Sequence, residues 1–294
     1  MDRRSFCLRT AGLTAGAFAF AQLPASLFAE ALRKKLASDR IKLGPMAVEL
    51  SRLAMGTGSS GYGGSSNQTR KLGLEGLANM LEAGFDQGIT FWESADQYGS
   101  HPHLKLGLSR VKRERVTVLT KTHAKTEAQM RADLDRFRKE LGTDYLDIVL
   151  LHALTNPRWP EERQGAMAVL AEARAKGIVR THGVSCHSLG ALETAARTDW
   201  VQVDLARINP AGAVMDGSLD QVLPVLRRMK AAGKGVIGMK ILGAGSLANR
   251  IDECLRYALS LDCVDCFTIC AENRQQLDDI VRRMAAAAPL RQAA

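Results

Sequence analysis

Glu93 and Tyr98 follow closely on the apolar run Ile89-Thr-Phe-Trp92, and Gly99 closes that stretch. Lys121 ends the β-favouring run Val116-Thr-Val-Leu-Thr, and His152 ends Leu146-Asp-Ile-Val-Leu-Leu. A carboxylate, a phenol, an amine and an imidazole thus stand at the ends of three separate apolar runs. Any one of them alone is an ordinary strand-edge residue. Together they suggest proton chemistry. An ammonium beside a phenol stabilises the phenolate and lowers its pKa from about 10. A carboxylate keeps the lysine charged, and an imidazole can orient a carbonyl oxygen and donate to it. Such a phenol could give or take a proton near neutral pH.

That chemistry needs the three runs to end in one place. Apolar, β-rich runs predict strands over 53–56, 89–92, 116–121, 146–152, 181–186, 201–208, 236–240 and 263–269. Helical spacing of apolar residues predicts helices over 72–87, 104–111, 126–141, 161–176, 189–197, 219–232, 247–261 and 274–284. Regular alternation of strands and helices, eight of each, is the arithmetic of a (β/α)8 barrel, an α/β fold in which the C-terminal strand ends share one mouth. Doubly wound sheets share this alternation but rarely extend to eight regular units, which argues against one here. Alternation over 41–53, with Gly44-Pro45 inside it, predicts a β-hairpin ahead of the barrel. The Gly- and Ser-rich stretch 59–66 reads as a mobile loop.

The chain has 294 residues, 46% hydrophobic and 24% charged, with a formal net charge of +9. This is ordinary globular composition. The basic residues scatter over helix-like segments, for example Arg131, Arg136, Arg138 and Lys139, and aromatics are only 5%. No basic stripe interleaves with aromatics, so the reading is a solvated positive surface rather than nucleic-acid binding. Arg3-Arg4-Ser-Phe6 precedes a small-and-apolar run from Ala11 to Ala21, broken by Pro24, with small residues at Ala29 and Ala31. This is the layout of a twin-arginine signal peptide over 1–29, implying the twin-arginine export machinery as a partner and a periplasmic or otherwise exported location. The run is too short for a stable membrane span. A polar linker is expected over 30–40 and the barrel over 41–288.

The stretch Phe91-Trp-Glu93-Ser-Ala-Asp-Gln-Tyr98 resembles a signature of the aldo/keto reductases, with glutamate where that family has aspartate. Lys121, His152, the run Leu141-Gly142-Thr-Asp-Tyr-Leu-Asp147 and Gly183-Val-Ser185 extend the resemblance over residues 43–284. It implies hydride transfer between a nicotinamide, NADP or NAD, and a carbonyl, with no metal. Tyr98 would be the general acid, Lys121 its tuner, His152 the carbonyl orienter and Glu93 the partner of Lys121. Gly56, Thr57, Ser185, Cys186, Met239, Lys240, Gly243, Gly245, Cys270 and Arg274 would hold the cofactor. Cys186 stands where asparagine is usual, and Met239 where an aromatic ring stacks on nicotinamide. Cys270, Glu272 and Gln276 stand where basic residues favour NADP, so NAD becomes credible.

His101, His103, His123, Arg207 and Met215 are expected to line the substrate pocket, and their polarity suggests a hydroxylated, sugar-like carbonyl. His101-Pro-His103 also resembles the paired histidines of metal-dependent barrel hydrolases. That makes an exported metallohydrolase the main alternative, beside a non-catalytic sugar-binding barrel. Cys263, Cys266 and Cys270 have spacing like part of an iron–sulfur run. On a strand, however, their side chains would alternate faces and not converge.

Overall fold

A computed structural model describes residues 35–287. The expected signal peptide lies outside the described residues. The last residues of the expected linker already belong to the domain, for Ala37 is buried and its carbonyl accepts from Leu53 N–H.

Strands β1 (Arg40–Leu43) and β2 (Val48–Ser51) form an antiparallel hairpin. Strands β3 (Leu53–Gly56), β4 (Phe91–Glu93), β5 (Thr117–Thr122), β6 (Leu146–Leu154), β7 (Val179–Cys186), β8 (Val203–Arg207), β9 (Gly235–Met239) and β10 (Cys266–Ile269) close into one parallel barrel. The order β10-β3-β4-β5-β6-β7-β8-β9 is sequential, with β10 paired to both β3 and β9. The expected eight-stranded barrel and its hairpin are both present.

Alternation along each strand sorts the side chains into two layers. Ala54, Phe91, Leu119, Ile148, Leu150, Val203, Leu205, Ile237 and Cys266 fill the interior, together with Leu43 and Leu50 of the hairpin. Gly44 sits so close to the Gln202 carbonyl and Gly235 that a Cβ there would lie 3.0 Å from the former, which seats the hairpin against the start of β9. The opposite faces pack against the helices in a second, larger core.

Helix formation follows the same economy of position. The helix Glu127–Leu141 buries Met130, Leu134, Phe137 and Leu141, one stripe at helical spacing. Thr126 and Gln129 form a reciprocal capping box, and Gly142 ends the helix in the left-handed region at φ 66°. Phe137 is fully buried, so Phe137→Ala should cost about 3–5 kcal/mol. Elsewhere boundaries differ from expectation. The first barrel helix runs Asn67–Asp86 with a break at Gly73, and the expected helix 161–176 is two pieces, Trp159–Glu162 and Gln164–Ala175. Among the described residues no helix is long and apolar enough to cross a membrane.

Candidate active site

Strand parity sets the mouth. Glu93 is two residues beyond Phe91, Lys121 two beyond Leu119 and His152 two beyond Leu150, so each projects inward just above the interior core. All three are buried. Lys121 Nζ donates to Glu93 Oε1 and to the Ser94 carbonyl (2.6 Å). The extra methylene of Glu93, relative to aspartate, does not cost it this partner. Its second oxygen accepts from Thr268 Oγ1 of β10 (3.3 Å). Burial pulls the Lys121 ammonium below its usual pKa, and Glu93 opposes that pull.

Tyr98 ends a single 3-10 turn, Asp96–Tyr98, closed by Gly99 at φ 63°. Its ring lies under the 59–66 loop, which is therefore not free-standing. A Cβ on Gly58 would be 2.2 Å from the ring, and one on Gly61 2.3 Å. Gly64 N–H donates to the Gln97 carbonyl (2.9 Å). Lys121 Nζ sits over the face of the Tyr98 ring, 4.7 Å from its centroid, and His152 meets the ring edge-on at 5.8 Å. The sequence predicted a phenol acidified by Lys121. Instead burial, then the Glu93 carboxylate and Cys270, push Tyr98 well above the ordinary phenol value. The ammonium is spent on Glu93 and on a carbonyl, so little of its charge acts on the phenol. His152 stacks with His123 (4.8 Å) and lies 6.4 Å from His187. Burial, then Lys121 and its neighbouring histidines, drive its pKa far below the usual imidazole value, so His152 is a neutral imidazole.

The expected pocket residues divide. His123, with Nε2 3.0 Å from Gln97 Oε1, is at the mouth, and beside it a cleft of about 390 Å³ is lined by Asp96, Gln129 and Asp133. Arg207 projects inward at the end of β8, with Nε donating to Asp216 Oδ1 (2.8 Å). Met215 packs against the outer core. His103 is partly buried, and burial lowers its pKa. His101 is not at the mouth. It is buried between helices and barrel against Phe137, where Nδ1 donates to Glu140 Oε2 and Nε2 pairs with Thr120 Oγ1, both at 2.7 Å. Thr120 faces outward, so its partner must lie behind the barrel wall.

The expected cofactor residues divide in the same way. Met239, Lys240 and Cys270 reach the mouth at the ends of β9 and β10. Lys240 holds φ 58°, and Gly243 and Gly245 continue a left-handed turn at φ 56° and 100°. Burial and Glu93 push the Cys270 thiol up to about 11. Gly56 is obligatory there, since a Cβ would lie 2.4 Å from Cys270 Sγ. Three side chains are otherwise committed. Thr57 Oγ1 donates to the Glu93 carbonyl (3.0 Å), Cys186 is buried in the outer layer beside Asp204, and Arg274 pairs with Asp278 (2.8 Å). Ser185 Oγ accepts from Ala153 N–H (3.0 Å). Cys263 lies in the outer core, Cys266 in the barrel interior and Cys270 at the mouth, so these cysteines do not meet.

Sequence reasoning left His187 without a role, although it stands one residue past β7. Burial, then Arg207 and Lys240, push it down to about 4. Asp216 is expected in a substrate loop and Thr268 in a phosphate-binding segment, but their partners, Arg207 and Glu93, emerge only in the structure.

A closed parallel barrel with an acid, phenol, amine and imidazole at its C-terminal mouth defines a class of carbonyl oxidoreductase. The chain belongs to the aldo/keto reductase family, whose model matches residues 52–254. It is 25% identical over 235 residues to a D-threo-aldose 1-dehydrogenase of a Pseudomonas species, covering 69% of each chain. An aldo-keto reductase of Bacillus halodurans in its holo form superposes with a TM-score of 0.68 at 15% identity, over 86% of this chain and 92% of that one. One from Bombyx mori, in complex with NADP, gives 0.61 at 18% identity, over 84% and 91%. These structural likenesses establish the fold. The family establishes an oxidoreductase of carbonyl compounds.

Proposed function

We propose that this enzyme reduces an aldehyde or ketone, or oxidises the alcohol in reverse, with NAD(P)(H) and with Tyr98 as the proton donor. The observation that carries this reading is the buried Glu93–Lys121 pair beneath the Tyr98 ring, with neutral His152 at its edge. His152 would hold the carbonyl oxygen by a hydrogen bond. Tyr98 would donate to that oxygen as it gains charge.

The opposite rim fits a nicotinamide dinucleotide. Lys240 has no carboxylate partner among the described residues, yet its charge is felt by His152, His187 and Lys121. The space beside Gly245 Cα is open, so a phosphate could approach the backbone closely. Met239 would lie against the nicotinamide, with Lys240 and the 243–245 turn at the pyrophosphate. When bound, the nicotinamide supplies or accepts the hydride. Little preference for a 2′-phosphate is expected, because Arg274 is paired with Asp278, and Lys71 with Glu272.

A hydroxylated, sugar-like substrate is supported by the polar side chains Asp96, Gln129 and Asp133 in the cleft beside His123 and by the relative named as an aldose dehydrogenase. Oxidation of NADH and NADPH with a panel of aldoses and simple aldehydes tests this reading. No turnover with any member would sink it. Export is a second part of the proposal, supported by Arg3-Arg4 and the apolar run 11–21. Arg3→Lys with Arg4→Lys should hold the precursor in the cytosol, and undiminished periplasmic yield would refute it.

A further inference from the structure

Asp96 opens the turn that carries Tyr98, and both its oxygens are gripped by one guanidinium. Arg136 Nη1 donates to Asp96 Oδ1 (2.6 Å) and Nη2 to Oδ2 (2.8 Å). The same Arg136 donates to Glu140 Oε1 (3.1 Å) and Asp133 Oδ1 (2.8 Å). The far oxygens of those two carboxylates lead back to β5. Glu140 Oε2 takes His101, which pairs with Thr120 Oγ1. Asp133 Oδ2 takes the hydroxyl of Thr122. Thr120 and Thr122 flank Lys121. One side chain on the helix Glu127–Leu141 therefore ties the Tyr98 turn to the two residues on either side of Lys121.

The geometry is that of a clamp rather than a surface ion pair. Isolated exposed pairs contribute little, but a bidentate arginine within a charged network is the exception. Asp96, His101 and Glu140 also offer three ligand atoms within 4.8 Å of one another, a cluster of the sort that could hold a cation. The positive charge those two carboxylates contact is the Arg136 guanidinium. Phe137 beneath it, 4.8 Å from the guanidinium carbon, limits how far it can swing.

We infer that Arg136 is a positioning residue for the proton donor: it sets the height and orientation of Tyr98 over Lys121 from outside the barrel. This rests on the proposed role of Tyr98. The Tyr98 ring has no covalent tie to β5, and its turn is only three residues long. Without the clamp, the turn would keep its ties to the 59–66 loop and His123 but lose its anchor on the helix, so Asp96 and Tyr98 would shift relative to Lys121 while the barrel strands and the β9–β10 rim stay as they are.

The test is Arg136→Met beside Arg136→Lys, Asp96→Asn and the double variant Arg136→Met/Asp96→Asn. A displacement of order 1 Å at a reacting group can cost roughly 10²-fold, so kcat for carbonyl reduction should fall about 10- to 100-fold in Arg136→Met. Dinucleotide Kd and the melting temperature should change little. Arg136→Lys should recover only part of the loss, since an ammonium cannot grip both oxygens. The double variant should be no worse than the poorer single one, because both act on one contact. Hydrogen exchange should quicken at the amides of Tyr98 and Gly99, which donate to Ala95 and Asp96 (3.0 and 3.2 Å). A kcat within three-fold of the parent, or additive losses in the double variant, would overturn the inference. If the parent reduces no carbonyl, the functional reading fails instead, and exchange at 98–99 still reports whether Arg136 holds the turn. Unchanged exchange there would refute the clamp independently.

Discussion

The two sides of the barrel mouth are built on different terms. On the β4–β6 side, the charged groups around Tyr98 are matched. Glu93 takes Lys121, Asp96 takes Arg136, and His152 is neutral between two other histidines. On the β9–β10 side, Lys240 has no carboxylate partner among the described residues, and Gly243 and Gly245 turn through left-handed backbone. The first side is complete before anything binds. The second keeps its charge and close backbone for a ligand. Preorganisation of reacting groups, with binding capacity held in reserve nearby, is what a two-substrate site requires.

The sharpest way to break this contrast is at Tyr98. Tyr98→Phe keeps the ring and its packing under Gly58 and Gly61 but loses the hydroxyl. Carbonyl reduction should fall by at least ~10²–10⁴-fold while dinucleotide binding stays intact. Reduction surviving within a few-fold would end the proton-donor assignment.

Next come the two lysines. Lys121→Met strands the Glu93 carboxylate in the interior, so activity should be lost and stability should drop by about 3–5 kcal/mol in chemical unfolding. Lys240→Met should leave stability unchanged and weaken dinucleotide binding about tenfold, roughly 1.4 kcal/mol. Equal stability losses in the two variants would show that the sides do not differ as described.

The pH dependence follows from the raised Tyr98 pKa. Reduction needs the protonated phenol, so its rate should hold across neutral pH and fall only as pH climbs through that elevated value. Alcohol oxidation needs the phenolate, so it should rise through the alkaline range. Oxidation that peaks below neutrality would show that another group takes the proton.

Glu93→Asp tests the one departure within the tetrad. The shorter side chain should keep the ion pair with Lys121 at the expense of the longer contact to Thr268 (3.3 Å), and activity should stay within a few-fold. Smallest of all, Arg274→Ala should leave the NADPH-to-NADH affinity ratio within about two-fold, because that guanidinium serves Asp278. An NADPH preference above ~100-fold, about 2.7 kcal/mol, that vanishes in Arg274→Ala would reverse this view of the second rim.

The barrel and the Glu93–Tyr98–Lys121–His152 cluster were legible because strand alternation is local and periodic. Side-chain partners were not. His101 and His123 look alike in sequence, yet parity gives His101 the outward-facing Thr120 as partner. Arg136 read as one of several solvated cations, since its role needs Asp96, forty positions earlier, to arrive beside it. The pKa of Tyr98 was misjudged because proximity to lysine says nothing about where that lysine spends its charge. Nothing in the sequence distinguished the committed Thr57 and Cys186 from the available Lys240.

The inward and outward alternation of β5 also governs what kinds of change the gene can absorb. Deleting one codon within 117–120, with the later residues drawn back by one, would bring Thr122 to the place of the ammonium and turn Lys121 toward the helices. No point substitution is needed to silence the enzyme in that case. The same deletion between 156 and 158, outside any strand, shifts no inward-facing residue. Insertions and deletions should therefore be tolerated in a sawtooth along the chain, with the teeth at the strands. A deletion library would trace the barrel staves without reference to any one residue's chemistry.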